Sequence, residues 1–574
     1  MGARLRADSS SGMPAGRVWQ NPQTIIRTIP MSGVLTGITG WSPSERQRDC
    51  LVIVAASVLV TLLIRPFQNT PFLDDWVYAW SVENLLKGGG LLVPELTNNA
   101  NIVQILWGWL LCLPIGFSFV ALRMSTWLLA VGSLCGLYLM LRDLEVSRGD
   151  ALLGTATLGV YPIFALLSVT FMSDVPFVSL TIFASFAMVR ATKLRSVPWL
   201  ITTSAFASAA AGVRMVAVVT PVAMFLTLLL GKDGWGRRRF RWALALPPLG
   251  VFAAVWWWYQ SHIFYSADLT WVGDTTSERI EMLQFALPLL PRMLGETLAL
   301  MAGTLGLALL PLSIASVGPH TVRRAGMYFV ALVLVLAALY AAGLRYPLPL
   351  MTGSTWAMNE LGGTSLLVPN YSVPPVSALI CWSALVVGAF ALATAVAAIT
   401  GRRWTPGELF LILAMGGHFL LIALIWLIND RYALVLVPYA IAVLLAARPR
   451  LHRLVAAASL TIVLIITVAG IRDHLSYNRA LWAAVDTLDQ SGVPARDING
   501  GYIVNGWLQY VHPEHAYRNA RGNIEIPWVN GDNLLPYEIA NDVPEGAHVL
   551  QTFGYERWLG PSGHIYVLKR IHVK

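Results

Sequence analysis

Residues 49–66 read Asp49-Cys50-Leu51-Val52-Ile53-Val54-Ala55-Ala56-Ser57-Val58-Leu59-Val60-Thr61-Leu62-Leu63-Ile64-Arg65-Pro66, and this stretch decides the fold class. Between Asp49 and Arg65 no side chain is charged, and apolar residues fill all but Ser57 and Thr61. A bilayer core takes about 20 mostly apolar residues per helix, so the run from about 51 to 66 is predicted to be a membrane span. Segments of the same kind recur near 119–141, 150–170, 175–191, 197–212, 214–231, 241–260, 292–316, 326–343, 373–399, 407–428, 432–447 and 454–471, about thirteen spans in all. The 574-residue chain is 56% hydrophobic and 12% charged, about half the charged share of a soluble domain. The expected fold is mostly α: a polytopic membrane protein with the lipid bilayer as its first partner.

Outward from that span the charges set the organisation. Residues 1–48 are polar, with Arg4, Arg6, Arg17, Arg27, Arg46 and Arg48, and read as a disordered cytoplasmic lead rather than a cleaved signal peptide. The apolar piece Ile102–Leu113 is placed on the outer surface inside a large first outer loop, about 67–118. The inner loops then hold Arg142/Arg148, Lys193/Arg195, the Lys232–Arg241 group, Arg323/Arg324, Arg402/Arg403 and Arg448/Arg450/Arg453, while the long opposite-side segments hold few bases, such as Lys87, Arg279 and Arg345. Such a repeated bias marks cytoplasmic loops. It accounts for the net charge of +9 without a nucleic-acid partner and puts the N-terminus inside a cell membrane. Cys50, Cys112, Cys135 and Cys381 lie in or beside apolar segments and imply no disulfide framework.

Residues 49–471 thus form the transmembrane domain, and 472–574 change character. Charge rises there, and turn pairs such as Gly500-Gly501, Asn505-Gly506 and Asn530-Gly531 appear. Arg479–Gln490 is predicted to be a helix, and Tyr502–Val504, His548–Phe553 and His564–Leu568 strands. A small α/β domain outside the cytoplasm is expected.

Carboxylates beside apolar spans are costly unless they face water, pair, or work. Asp74 and Asp75 stand in Pro71-Phe72-Leu73-Asp74-Asp75-Trp76-Val77-Tyr78-Ala79, and Asp174 in Phe171-Met172-Ser173-Asp174-Val175-Pro176. Under the topology above all three face the same aqueous side. Asp also suits a helix start, so a plain N-cap competes with a reactive role.

Leu73–Ala79, followed by Leu85-Leu86-Lys87-Gly88-Gly89, resembles the first outer loop of the family 39 (GT-C-type) glycosyltransferases. Those enzymes draw a sugar from a polyprenyl-phosphate carrier and include bacterial aminoarabinose transferases and protein O-mannosyltransferases. Ala121-Leu122-Arg123-Met124-Ser125, Ser173–Phe177, Asp430-Arg431-Tyr432-Ala433-Leu434 and Gly500-Gly501-Tyr502 are similar to later stretches of that family, in the same order. The departure is Asn98-Asn99-Ala100-Asn101-Ile102-Val103-Gln104, where many members carry Lys-Pro-Pro-Leu.

The resemblance implies a glycosyltransferase with Asp74 as general base. Asp75 and Asp174 would orient the acceptor or bind a cation. Tyr78, Lys87, Asn101, Gln104, Arg123, Arg345, Arg431 and Tyr432 would serve the substrate or the carrier phosphate. Arg214, in a short outer turn, either serves the phosphate or anchors in lipid. A divalent metal cation on Asp74 and Asp174 is the one cofactor expected. The acceptor class stays open among lipid, glycan and protein. The competing readings are a transporter or flippase of lipid-linked sugars, which would share the spans and buried Arg, and a non-catalytic assembly factor.

Overall fold

In the computed structural model the described residues are 44–97, 99–231, 234–264, 284, 287–316, 319–341, 374–424, 430–518, 524–525, 535–544, 546–559 and 561–570. The chain divides between Arg48 and Asp49. Of the first unit only 44–48 are described, where the first helix opens, so the expected N-terminal lead lies outside the described residues, as does Arg345.

The first span is α1 (Glu45–Ile64). The segment after it carries α2 (Asp75–Leu86), β1 (Val93–Pro94) and α3 (Ile102–Cys112). With 11 residues α3 is about 16 Å long, too short to cross a bilayer. Then come α4 (Phe119–Asp143), α5 (Arg148–Val160), α6 (Pro162–Ser168), α7 (Asp174–Leu194), α8 (Val197–Ala211), α9 (Val219–Leu230) and α10 (Leu246–Gln260). Beyond β2 (Ile263–Phe264), which pairs in parallel with β1, lie α11 (Leu290–Ala315), α12 (Pro319–Ala341), α13 (Pro374–Ile399), α14 (Pro406–Ala423), α15 (Leu436–Ala446) and α16 (Arg453–Gln490).

Local chemistry sets several of these boundaries. Ser118 and Ser147 cap α4 and α5, and Thr405 with Glu408 forms a capping box on α14. The predicted span 150–170 is a bent pair: α5 and α6 meet at 66°. Pro162 opens α6, and a residue before proline is driven out of the helical region; Tyr161 is accordingly extended, at ψ 123. Among the described residues six helices are long and apolar enough to cross a membrane, seven with the bent pair, against the thirteen expected. Six further apolar helices have 10–17 residues.

Ion pairs group the connecting turns. Arg190 meets Asp143, Arg448 and Lys193 meet Glu145, Arg453 meets Asp150, and Arg148 meets Asp49. The base-rich turns therefore share one end of the bundle. Asp74 and Asp174 lie at the other, past the last turn of α1 and at the first turn of α7.

The C-terminal region differs from expectation in two respects. The helix expected at 479–490 does not start a separate body, because α16 runs unbroken for 38 residues from the bundle into the C-terminal region. Tyr502–Val504 is no strand: it lies in a short helix, α17 (Gly501–Asn505). Gly501 turns the chain at φ 77, and Asn505 accepts from the Gly500 amide and donates to Asn499, which coils the segment. β3 (Ile498–Asn499), β4 (Tyr537–Ala540), β5 (Ala547–Tyr555) and β6 (Gly563–Arg570) form one sheet in the order β3-β4-β6-β5, all pairs antiparallel except β3–β4.

Two large apolar cores result. The larger fills the helix bundle. The second joins Trp76, Val77 and Trp80 of α2 to Leu481, Trp482 and Val485 of α16 and to Val504, Tyr510, Ile565 and Val567 of the C-terminal region. The segment between α1 and α4 is thereby clamped between the helix bundle and the C-terminal region.

Candidate functional site

The segment before α2 is held from several sides. Arg123, fully buried at the start of α4, donates to the Gln68 and Thr70 carbonyls. Asn478 and Trp482 of α16 donate to the Pro71 carbonyl at 2.9 and 3.0 Å. Asp75 accepts from the Phe72 amide at 2.7 Å and faces Arg123 at 3.5 Å. Leu73, between these anchors, sits at φ 58, a left-handed conformation that a bulky residue adopts only when its surroundings impose it.

The two adjacent carboxylates consequently diverge. Asp75 is turned inward with no exposure at all; burial lifts its carboxyl to about 6, against the pull of the Arg123 guanidinium. Asp74 points the other way and takes a two-pronged contact from Arg431, Nη1–Oδ1 3.2 Å and Nη2–Oδ2 3.2 Å. Such fork-to-fork pairing is the strong geometry for Arg with carboxylate.

A second pair stands beside the first. Asp174, buried in the first turn of α7, meets Arg214 at 3.0 Å. Arg214 also donates from Nε to Ser173 Oγ at 3.0 Å, and the Ser173 hydroxyl points at the Tyr78 oxygen, 3.5 Å away. The Tyr432 ring lies 5.9 Å from both the Arg214 and the Arg431 guanidinium carbons. Arg431 feels Asp174 as well as Asp74, so the pairs form one electrostatic unit. Burial, and then the Asp74 charge, push the Tyr78 phenol up to about 12 and raise the Tyr502 phenol too. Both therefore stay protonated donors at neutral pH. Two carboxylates against two guanidiniums leave the cluster near neutrality.

Of the residues singled out in the sequence, Asp74, Asp174, Tyr78, Arg431 and Tyr432 converge. Others do not. Asp75 and Arg123 are partners in bracing the loop and do not face the Asp74 pair. Lys87 closes the far end of α2 on Glu83 at 2.9 Å, about 18 Å along the helix from Asp75. Asn101 and Gln104 act on backbone: Asn101 donates to the Asn99 carbonyl, and Gln104 to the Phe171 carbonyl, each at 2.8 Å. Asn99 accepts from the Met215 amide at 3.0 Å. The Asn-rich segment thus steadies the turns that present Asp174 and Arg214.

Three residues of the cluster escaped the sequence reading: Ser173, Tyr502 and Arg214 in its role as the partner of Asp174. The first two lay inside motifs already quoted, but nothing in their spacing distinguished them from neighbours.

The expected metal finds a poor host. Asp74 and Asp174 each already carry a guanidinium, whose positive charge opposes a second cation, and among the described residues no three His, Cys, Asp or Glu side chains group as a ligand set. His418 is a buried packing residue, bonded to the Ala414 carbonyl at 2.8 Å and packed near Tyr439 and Phe177. Between α10 and α11, residues 265–283, 285 and 286 lie outside the described residues, and Ile263–Phe264 pair with β1.

Among solved structures the chain is similar to ArnT from Cupriavidus metallidurans bound to undecaprenyl phosphate, at 13% identity and TM-score 0.41 over 91% of this chain and 98% of that one. It is also similar to the archaeal oligosaccharyltransferase AglB from Archaeoglobus fulgidus in complex with an inhibitory peptide and a dolichol-phosphate, at 14% identity and TM-score 0.41 over 77% of this chain and 59% of AglB. No curated protein matches in a sequence comparison. Residues 104–258, the stretch that holds Arg123, Asp174 and Arg214, match the family model for dolichyl-phosphate-mannose-protein mannosyltransferases, and the chain's resemblance is thus to GT-C-type, polyprenyl-phosphate-sugar-dependent glycosyltransferases.

Proposed function

We propose that this protein is a membrane glycosyltransferase that moves a sugar from a polyprenyl-phosphate carrier to an acceptor on the non-cytoplasmic face, residues 472–574 forming its outer domain. The supporting observation is the coupled pair of ion pairs, Asp74–Arg431 and Asp174–Arg214, at the end of the bundle opposite the base-rich turns. A sugar phosphate needs a base for the acceptor proton and positive charge for the departing phosphate. The cluster contains both, in balance, before any substrate arrives.

In this reading the carrier phosphate takes the guanidiniums of Arg431 and Arg214, Arg being suited to two-point contact with phosphate oxygens. Arg431 then gives up its grip on Asp74, and the freed carboxylate accepts the proton of the acceptor hydroxyl. The acceptor oxygen bonds to the anomeric carbon as the carbon–oxygen bond to phosphate breaks. The electron pair stays on the phosphate oxygen, where the arginines stabilise it, and the anomeric centre inverts. Tyr78 and Ser173 donate hydrogen bonds, and Asp174 holds Arg214 in place. No step needs a metal.

The test uses full-length protein in detergent, where no compartments exist and a flippase produces no product. Wild type is expected to move sugar from extracted lipid-linked donors to an acceptor fraction. Asp74→Asn is expected to lose about 10² to 10⁴-fold, the range for a general base, while keeping its elution profile. Asp74→Asn turnover near the wild-type rate would remove the base assignment, and absence of any transfer by wild type would favour the flippase.

A further inference from the structure

A cluster of positive charge outside the proposed reaction centre has no evident protein counter-ion. Arg65 follows the last turn of α1 at φ 57 and is exposed. Arg472 of α16 reaches across to donate to the Leu63 carbonyl at 2.8 Å, which sets both helices at one level, and its guanidinium stacks over Trp558 at 4.3 Å. Arg479, seven residues on, lies on the same side of α16 about two turns farther out. Arg479 feels the positive charge of both Arg472 and Arg65. The nearest acid in sequence, Asp473, is spent on the Trp558 and Leu559 amides at 2.6 and 2.9 Å. No carboxylate among the described residues pairs with any of the three arginines.

The surroundings say what kind of anion would sit there. Leu62, Leu63, Phe67, Trp558 and Leu559 are exposed apolar side chains flanking the cluster, and α1 is a lipid-facing span that ends beside it. Three like charges with an apolar border at the end of a span are unfavourable alone and favourable with a phosphate at the headgroup level. A single snorkelling arginine is free to turn away from its neighbours, but Arg472 is pinned by Leu63 and Trp558.

We propose that Arg65, Arg472 and Arg479 form a binding site for the phosphate of an anionic phospholipid at the membrane boundary, with its acyl chains along Leu62, Leu63 and Phe67. The site ties α1 to α16, the helix that also holds the Pro71 carbonyl before Asp74. It does not depend on the glycosyltransferase reading.

Full-length protein is reconstituted in nanodiscs of phosphatidylcholine with a minor share of phosphatidylglycerol, extracted in mild detergent, and its retained lipids are counted by native mass spectrometry. The variant is Arg65→Gln/Arg479→Gln, which leaves the structural contacts of Arg472 intact. Arg453→Gln, at the opposite end of α16, is the control. Wild type and control are expected to retain phosphatidylglycerol in preference to phosphatidylcholine, and the double variant to lose that preference at least fivefold. Equal retention by the double variant overturns the site, as does equal loss in the control. Short-chain phosphatidylglycerol is expected to displace the retained lipid where millimolar inorganic phosphate does not; equal displacement by both overturns the lipid assignment.

Discussion

Both ends of the helix bundle are laced with carboxylate–guanidinium pairs, yet the pairs are not alike. At the base-rich end Arg448 and Arg453 are each 60% exposed beside Glu145 and Asp150, and Arg448 and Glu145 line a cavity of about 270 Å³ with Lys193, Arg402 and Glu408. At the opposite end Arg431 and Arg214 are 12% and 11% exposed, with the Tyr432 ring beside both. Water screens the first kind, and such pairs contribute roughly 0–1 kcal/mol. The second kind loses most of its hydration, and its charges are strongly felt by whatever enters. The same residue types serve as fasteners at one end and as a poised charge cluster at the other. Burial makes the difference.

That contrast can be broken or sharpened by substitution. Arg431→Gln should have the largest effect, cutting transfer by about 10²–10³-fold, as removal of one charge-stabilising donor does elsewhere; single-turnover assays on saturating donor would register it. Asp75→Ala should cost about 3–5 kcal/mol of stability by leaving Arg123 buried without its carboxylate, seen as a large drop in melting temperature with little intact protein left to assay.

The gentler Asp75→Asn isolates the titration. In the folded chain this carboxyl takes up its proton near 6, against 3.8 ordinarily. The folded state therefore holds more protons between those values, and this group's contribution to stability falls as pH rises from about 4 to about 6. Because Asn mimics the protonated acid, the wild-type melting temperature should fall relative to that of Asp75→Asn as pH rises from 4.5 to 7. A gap independent of pH would put the carboxyl in water. At the base-rich end Arg448→Gln should shift stability by at most about 1 kcal/mol and leave transfer unchanged; a large loss of transfer there would erase the distinction between the two ends.

Much of this architecture was legible in the order of the residues, because membrane insertion is governed by local composition. A run such as Leu51–Ile64 is apolar whatever its neighbours do, and the grouping of bases in alternate turns needs no tertiary information. The acids also announced themselves, since a carboxylate next to Phe72, Leu73 and Trp76 conflicts with its setting. The bend was not legible, because the proline at Tyr161-Pro162 turns the predicted span 150–170 through 66° without changing its hydropathy. Tyr502–Val504 misled for a related reason: its residues favour a strand, and Gly501 with Asn505 overrides them.

Which acid faces which arginine was invisible until the chain folded. Asp74 and Asp75 are neighbours of equal chemistry, yet the turn at Leu73 sends one to Arg431, 357 positions away, and the other into the braced loop with Arg123. Arg214 was as plausible in lipid as in a site, and only the packing of α7 against the turn before α9 joined it to Asp174. Periodicity and charge bias are properties of short windows and survive without a fold. Pairing depends on long-range loop closure and on the direction of individual side chains, and those exist only once the cores around Trp76 and along the bundle have formed.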